Sequence, residues 1–125
     1  MRSERTAVKT SLAQVEPYIT KDGSEIRELM HPDVHGARHQ SLAQATVPAG
    51  CATRLHRHRL TEEIYHVTGG AGLMRLGDAE FPVGAGDTVV IRPGVAHAIR
   101  NTGATPLTIL CACAPAYAHD DTELL

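Results

Sequence analysis

The chain has 125 residues and a formal net charge of −2, from 12 basic and 14 acidic side chains. That length suits one compact domain and excludes two independent cores. The charges are dispersed, which leaves no footprint for nucleic acid or an anionic membrane, and no apolar run approaches the roughly 20 residues that cross a bilayer. The expected partner is a small molecule and the expected location the cytoplasm. Cys51, Cys111 and Cys113 show neither zinc-knuckle nor CxxC spacing, and with one Phe, three Tyr and no Trp the core must be built from Val, Leu, Ile and Ala.

Met1 to Val15 lacks a clear period and reads as a flexible N-terminal arm, leaving 16–125 as the folded domain. Pro17 to Thr20 and Glu25 to Met30 read as two strands. Lys21-Asp22-Gly23-Ser24 joins them, with Asp-Gly supplying the positive φ of a hairpin turn. His31, His35 and His39 are spaced four apart, but Pro32 and Gly36 argue for a loop. That loop could lid a site or carry its histidines in solvent. Gln40 to Val47 is another strand, ended by Pro48-Ala49-Gly50.

Farther on, Gly69-Gly70, Gly77-Asp78, Gly84 to Asp87, Pro93-Gly94 and Asn101 to Gly103 separate short β-branched or alternating runs. Many short strands without a helical stripe imply an all-β antiparallel sandwich or barrel. Pro115 to Thr122 could cap the barrel or hang free.

The chemistry gathers in the middle of the chain. His56 and His58 are two apart, so on a strand both leave the same face and can converge on one ion. Taken alone, histidines among Arg54, Arg57 and Arg59 could as well be a solvated basic edge. Glu63 opens the next strand and is returned beside them by a hairpin, with Glu62 as a one-residue alternative. His97 follows the turn-forming Arg92-Pro93-Gly94; a lone buried histidine would be an ordinary core residue. Together, three imidazoles and one carboxylate leave two positions open on an octahedral ion. Without a thiolate, the set suits Mn, Fe, Co, Ni, Cu or Zn.

Two segments resemble the cupin motifs. The first runs from Gly50 through His56-Arg57-His58 and Glu63 to Gly70, and the second from Gly86-Asp87 through Arg92-Pro93-Gly94 and His97 to Asn101. They span residues 50–70 and 86–101, with Arg92 standing where the family usually has a proline. The resemblance implies a double-stranded β-helix barrel of the jelly-roll type, with His56, His58, Glu63 and His97 facing inward. It also implies a homodimer formed through N-terminal strands.

Alternation suggests further lining residues. If His56 and His58 point inward so does Arg54, which could fork a carboxylate toward the metal, and beside Glu63 so does Tyr65. These two are the catalytic candidates; Arg54 could equally snorkel to the mouth and Tyr65 merely fill space. Cys111 and Cys113 share one strand face as small core residues. No second carboxylate stands out as a general base, since Glu62 points away and Glu80 falls in a turn. The functional expectation is a metalloenzyme acting on a small oxygenated or carboxylated metabolite, with dioxygenase-like oxidoreductase chemistry ahead of isomerase, epimerase or lyase chemistry. A non-catalytic metal-dependent binder of a small molecule or sugar is the alternative, and a metal-free barrel a third.

Overall fold

The computed structural model describes residues 8–125. Residues 1–7 of the expected arm lie outside them. The rest of the arm forms a 3-10 turn at Leu12–Gln14, and the Thr10 hydroxyl donates to the Leu29 carbonyl at 2.7 Å.

Eleven strands and one short helix follow among the described residues: β1 (Tyr18–Ile19), β2 (Glu25–Met30), α1 (Pro32–His35), β3 (Ser41–Val47), β4 (His56–His58), β5 (Glu62–Gly69), β6 (Ala71–Leu76), β7 (Ala79–Gly84), β8 (Thr88–Ile91), β9 (His97–Asn101), β10 (Leu107–Ala114) and β11 (Thr122–Leu124). They pair antiparallel in two sheets, of order β1-β2-β3-β10-β5-β8 and β11-β4-β9-β6-β7. This is the expected jelly roll. No described helix is long and apolar enough to cross a membrane.

The β1–β2 hairpin is an edge of the larger sheet, and Gly23 turns it at a φ of 92°, a conformation that side chains with a Cβ rarely adopt. Gly70 makes the tightest approach. Its φ is 85°, and a Cβ there would stand 2.7 Å from the Pro106 carbonyl oxygen.

Three sequence expectations change. The histidine segment is a single helical turn rather than a loop, because Pro32 sits at its start, where a missing N–H costs nothing, and Gly36 ends it in the left-handed region. Glu80 belongs to β7, where it pairs with Arg75, not to a turn. The C-terminal segment neither hangs free nor merely caps the barrel, since β11 pairs with β4 and extends the smaller sheet.

Alternation along β3, β5 and β10 builds the interior in rows. Ala45, Ile109 and Val67 align across the three strands, then Ala43, Cys111 and Tyr65, then Ser41, Cys113 and Glu63. Each step along the barrel is more polar than the last. The apolar end merges with Val47, Met74, Val83, Ile91, Ile99 and Leu107. Burial of this kind stabilises by about 25 cal/mol per Å² of apolar surface, so the apolar end holds the barrel and leaves the other end free for chemistry.

Asn101 closes the apolar end. Its amide donates to the carbonyls of Val47 (2.9 Å) and Thr105 (2.8 Å) and accepts from the Gly103 N–H (2.9 Å). Truncation would leave buried groups unpaired, so Asn101→Ala should lower the unfolding free energy by about 2–4 kcal/mol in urea titrations. A loss below about 0.5 kcal/mol would show that the loop is held otherwise.

Candidate metal centre

β4 is only three residues long, yet it turns both His56 and His58 inward and Arg57 toward solvent. The hairpin into β5 buries Glu63 on the side of the histidines and exposes Glu62. His97 starts β9 directly opposite His56, and their ring centroids are 4.2 Å apart. One ring nitrogen from each of His56, His58 and His97 lies within 4.8 Å of the others. Glu63 Oε1 stands 3.1 Å from His58 Nε2 and 3.6 Å from His97 Nε2.

The outer nitrogens of the three rings are already engaged. His56 Nδ1 donates to the Arg54 carbonyl (2.7 Å), His97 Nδ1 to the Val95 carbonyl (3.0 Å), and His58 Nδ1 to the Thr122 hydroxyl (2.9 Å). Thr122 spends its own proton on the Ala118 carbonyl, so it must accept from His58. In neutral imidazoles these bonds leave the lone pair on Nε2, the usual arrangement of a histidine prepared for a metal. His97 Nε2 is fully buried with no partner, and such an orphan needs an explanation. His58 Nε2 and Glu63 Oε1 are then two acceptors 3.1 Å apart, a contact that requires a cation or a proton between them. Adjacent donors on an octahedral ion also stand about 3 Å apart, given metal–ligand distances of about 2.1 Å. The donor set fits a divalent transition-metal ion.

Electrostatics agree. Burial pushes Glu63 upward, but the facing His58 and His97 rings, which favour its anionic form, outweigh burial and bring the carboxyl to about 2. Burial, followed by the charge of His97, lowers His56 below the ordinary histidine value. Both groups therefore reach neutral pH in the forms that would bind a metal.

Beyond the ligands, a cavity opens toward the β1–β2 hairpin. Tyr65 lines it, and burial, reinforced by Glu63, pushes its phenol well above the usual range, so it stays a donor. Its ring meets His97 edge-on at 5.9 Å. Arg54 does not line it. The residue is exposed while Thr53 is buried, because strand alternation starts only at His56 and the irregular segment before β4 reverses the parity. The expected anion fork is thereby lost. His35 and His39 are also absent from the lining; His35 Nδ1 instead accepts from the His31 N–H at 3.0 Å.

Several site residues were missed by sequence reasoning. Asp22, taken only as a turn former, is buried, and its Oδ2 stands 3.7 Å from His56 Nε2. The even-numbered residues from Tyr18 to Glu28 all line the cavity, a period of two that runs unbroken through the turn. Read as a pattern, it would have brought Asp22 and Glu28 to the site. Cys113 is more than filler, since its thiol donates to Glu63 Oε2 at 3.3 Å and orients the ligand. Thr122 and Tyr117 arrive from the C-terminal segment, whose Asp121 accepts from the N–H groups of Leu60 (2.8 Å) and Thr61 (3.0 Å) and so pins the connection between His58 and Glu63.

Comparison with known proteins accords with this geometry. A family model described as the cupin domain matches residues 43–113. The uncharacterized protein MJ1618 of Methanocaldococcus jannaschii is 51% identical over 118 residues, covering 94% of each chain. Among solved structures, a protein described as a predicted oxalate decarboxylase from Thermotoga maritima superposes with a TM-score of 0.75 at 24% identity, covering 88% of this chain and 99% of its own. Pac13 from Streptomyces, described as a nucleoside dehydratase, gives 0.74 at 19% identity, covering 96% and 92%. At such identities the structural likeness speaks for the fold.

The lowered His56 pKa has a consequence for the metal-free protein. An unfolded chain takes up the His56 proton first as pH falls, so stability is fully present above about pH 6.5 and declines below it. His56→Gln should flatten that decline in thermal melts taken across this range. Identical profiles for both proteins would place the proton uptake elsewhere.

Proposed function

The chain belongs to the cupin domain family, and on that premise we propose that it is a metal-dependent enzyme acting on a small oxygenated molecule held between the ion and the β1–β2 hairpin. The observation that carries the proposal is the buried His97 Nε2, unpartnered and converging with the matching nitrogens of His56 and His58. A divalent ion held by these three and Glu63 would supply Lewis acidity to an oxygen of the substrate.

The protein's own groups suit proton transfer and orientation. Asp22 Oδ2 faces His56 across 3.7 Å and is placed to accept a hydrogen bond from an oxygen held at the ion. Tyr65 remains protonated and offers a donor within the same cavity. A carboxylate and a phenol about one site support lyase- or isomerase-type chemistry over the dioxygenase-like alternative. Structures of the same fold include proteins described as an oxalate decarboxylase and a nucleoside dehydratase.

Untagged protein should carry about one equivalent of transition metal per chain by elemental analysis, and His58→Ala should lose most of it. An absence of bound metal after reconstitution would overturn the reading. Turnover that proceeds without oxygen supports lyase or isomerase chemistry, and oxygen uptake tied to one substrate would instead establish the dioxygenase.

We also propose a homodimer. Leu42, Ala112, Ile64 and Val90 align across β3, β10, β5 and β8 on the outer face of the larger sheet, and three of them are 37–47% exposed. A second copy would cover this continuous apolar row, of a kind that monomers rarely leave in solvent. Light scattering should give twice the chain mass, and Ile64→Glu should halve it; a monomeric wild type would remove the proposal.

A further inference from the structure

The charges around the cavity identify the class of molecule it takes, given the metal-dependent reading above. Seven side-chain hydroxyls line it, from Tyr18, Thr20, Ser24, Ser41, Tyr65, Tyr117 and Thr122. Two carboxyl groups that are not among the four expected ligands line it as well, Asp22 and Glu28. Among the described residues no lysine or arginine does.

The nearby cations are committed elsewhere. Lys21 Nζ donates to the carbonyls of His119 (2.8 Å) and Thr122 (2.9 Å). Arg27 pairs with Glu25, and Arg57 and Arg59 pair with Glu123. Arg54 lies exposed, outside the lining. His31, beside Glu28, accepts from the Asp33 N–H at Nδ1 and faces the Tyr117 carbonyl with Nε2, an arrangement satisfied by the neutral ring.

Asp22 is also fixed in place. Its Oδ1 accepts from both the N–H (2.9 Å) and the hydroxyl (2.6 Å) of Ser24, which leaves Oδ2 directed at the ligand cluster. A dicarboxylate bound at the ion would meet this carboxylate at close range, with no lysine or arginine in the lining to offset the charge beyond the ion itself. A hydroxyl group would instead donate to it. Glu28, when ionised, adds to the repulsion of an anion from the same cavity.

We propose that the site selects a neutral molecule bearing vicinal hydroxyl groups over carboxylate anions, with Asp22 as the residue that sets this preference by accepting a substrate hydroxyl. The diol could belong to a free sugar or polyol, or to the ribose of a nucleoside; the shared chemistry is the uncharged diol.

The test uses the full chain loaded with one equivalent of Co(II). Erythritol, ribose and uridine are titrated against oxalate and malonate, with calorimetry and the Co(II) absorption spectrum as readouts. At least one diol should bind at least tenfold more tightly than either dicarboxylate, and whichever of the polyol, pentose and nucleoside binds best identifies the source. Asp22→Asn keeps the oxygen that Ser24 holds, so it should fold and retain its cobalt. It should weaken the diol and strengthen oxalate, each by roughly tenfold, as expected for loss of a charged hydrogen-bond acceptor. Oxalate binding as well as the diols in the loaded wild type, or loss of cobalt from Asp22→Asn, would overturn the assignment while leaving the metal centre standing. Failure of the wild type to hold cobalt would overturn the metal-dependent reading and this inference with it.

Discussion

Three buried imidazoles share one small space with their outer nitrogens already engaged, and much of the structure answers to that constraint. Arg54 and Val95 supply backbone carbonyls, and Thr122 a hydroxyl whose proton is spent on Ala118. None of these acceptors moves independently of the barrel. Rotating a ring to satisfy Nε2 on protein atoms would break a hydrogen bond on its other side, so the strain of an unpartnered His97 Nε2 persists until a cation relieves it. Such a site is costly to the empty fold. The apolar rows from Ala45 to Leu107 stabilise the barrel against that cost.

This division of labour explains the placement of the ligands. Inward rows of the larger sheet pass from Ile109 through Cys111 to Cys113, and the polarity rises with each step of two residues. Glu63 therefore reaches the histidines from a strand whose continuation, Tyr65 and Val67, lies in the wall and core. The C-terminal strand adds to this by closing β4 on its far side: Thr122 faces His58, and Asp121 holds the turn toward Glu63. The centre consequently depends on segments more than 60 residues apart in the chain.

How much of this could be read from the residues alone followed the physics of each segment. Period-two alternation with motif spacing brought out His56, His58 and Glu63, because β4 and β5 are regular where those residues stand. His97 needed its second motif, since a buried histidine after a turn has no local signature of a ligand. Arg54 was misplaced for the complementary reason: it precedes β4, where no strand enforces parity. Pro32 and Gly36 were read as helix breakers, although in those positions they start and stop a single turn. Asp22 was hidden by a sufficient local explanation, the Asp-Gly turn, which said nothing of where its carboxylate pointed. Such tertiary roles lie beyond any local pattern, because they depend on which strand the hairpin packs beside.

The two halves of the site therefore carry different information. The four candidate ligands come from the motif strands and would let an ion bind, a property compatible with many reactions on the same fold. What distinguishes one reaction from another must come from side chains facing the ion across the cavity, and here these belong largely to β1, its turn and β2. That hairpin is the edge of the larger sheet, anchored by pairing of β2 with β3. An edge element can change its inward residues with little effect on the apolar rows behind the ligands. Asp22 and Glu28 occupy this exchangeable wall, and a basic residue at either position would suit the same barrel and the same ion to an anionic substrate.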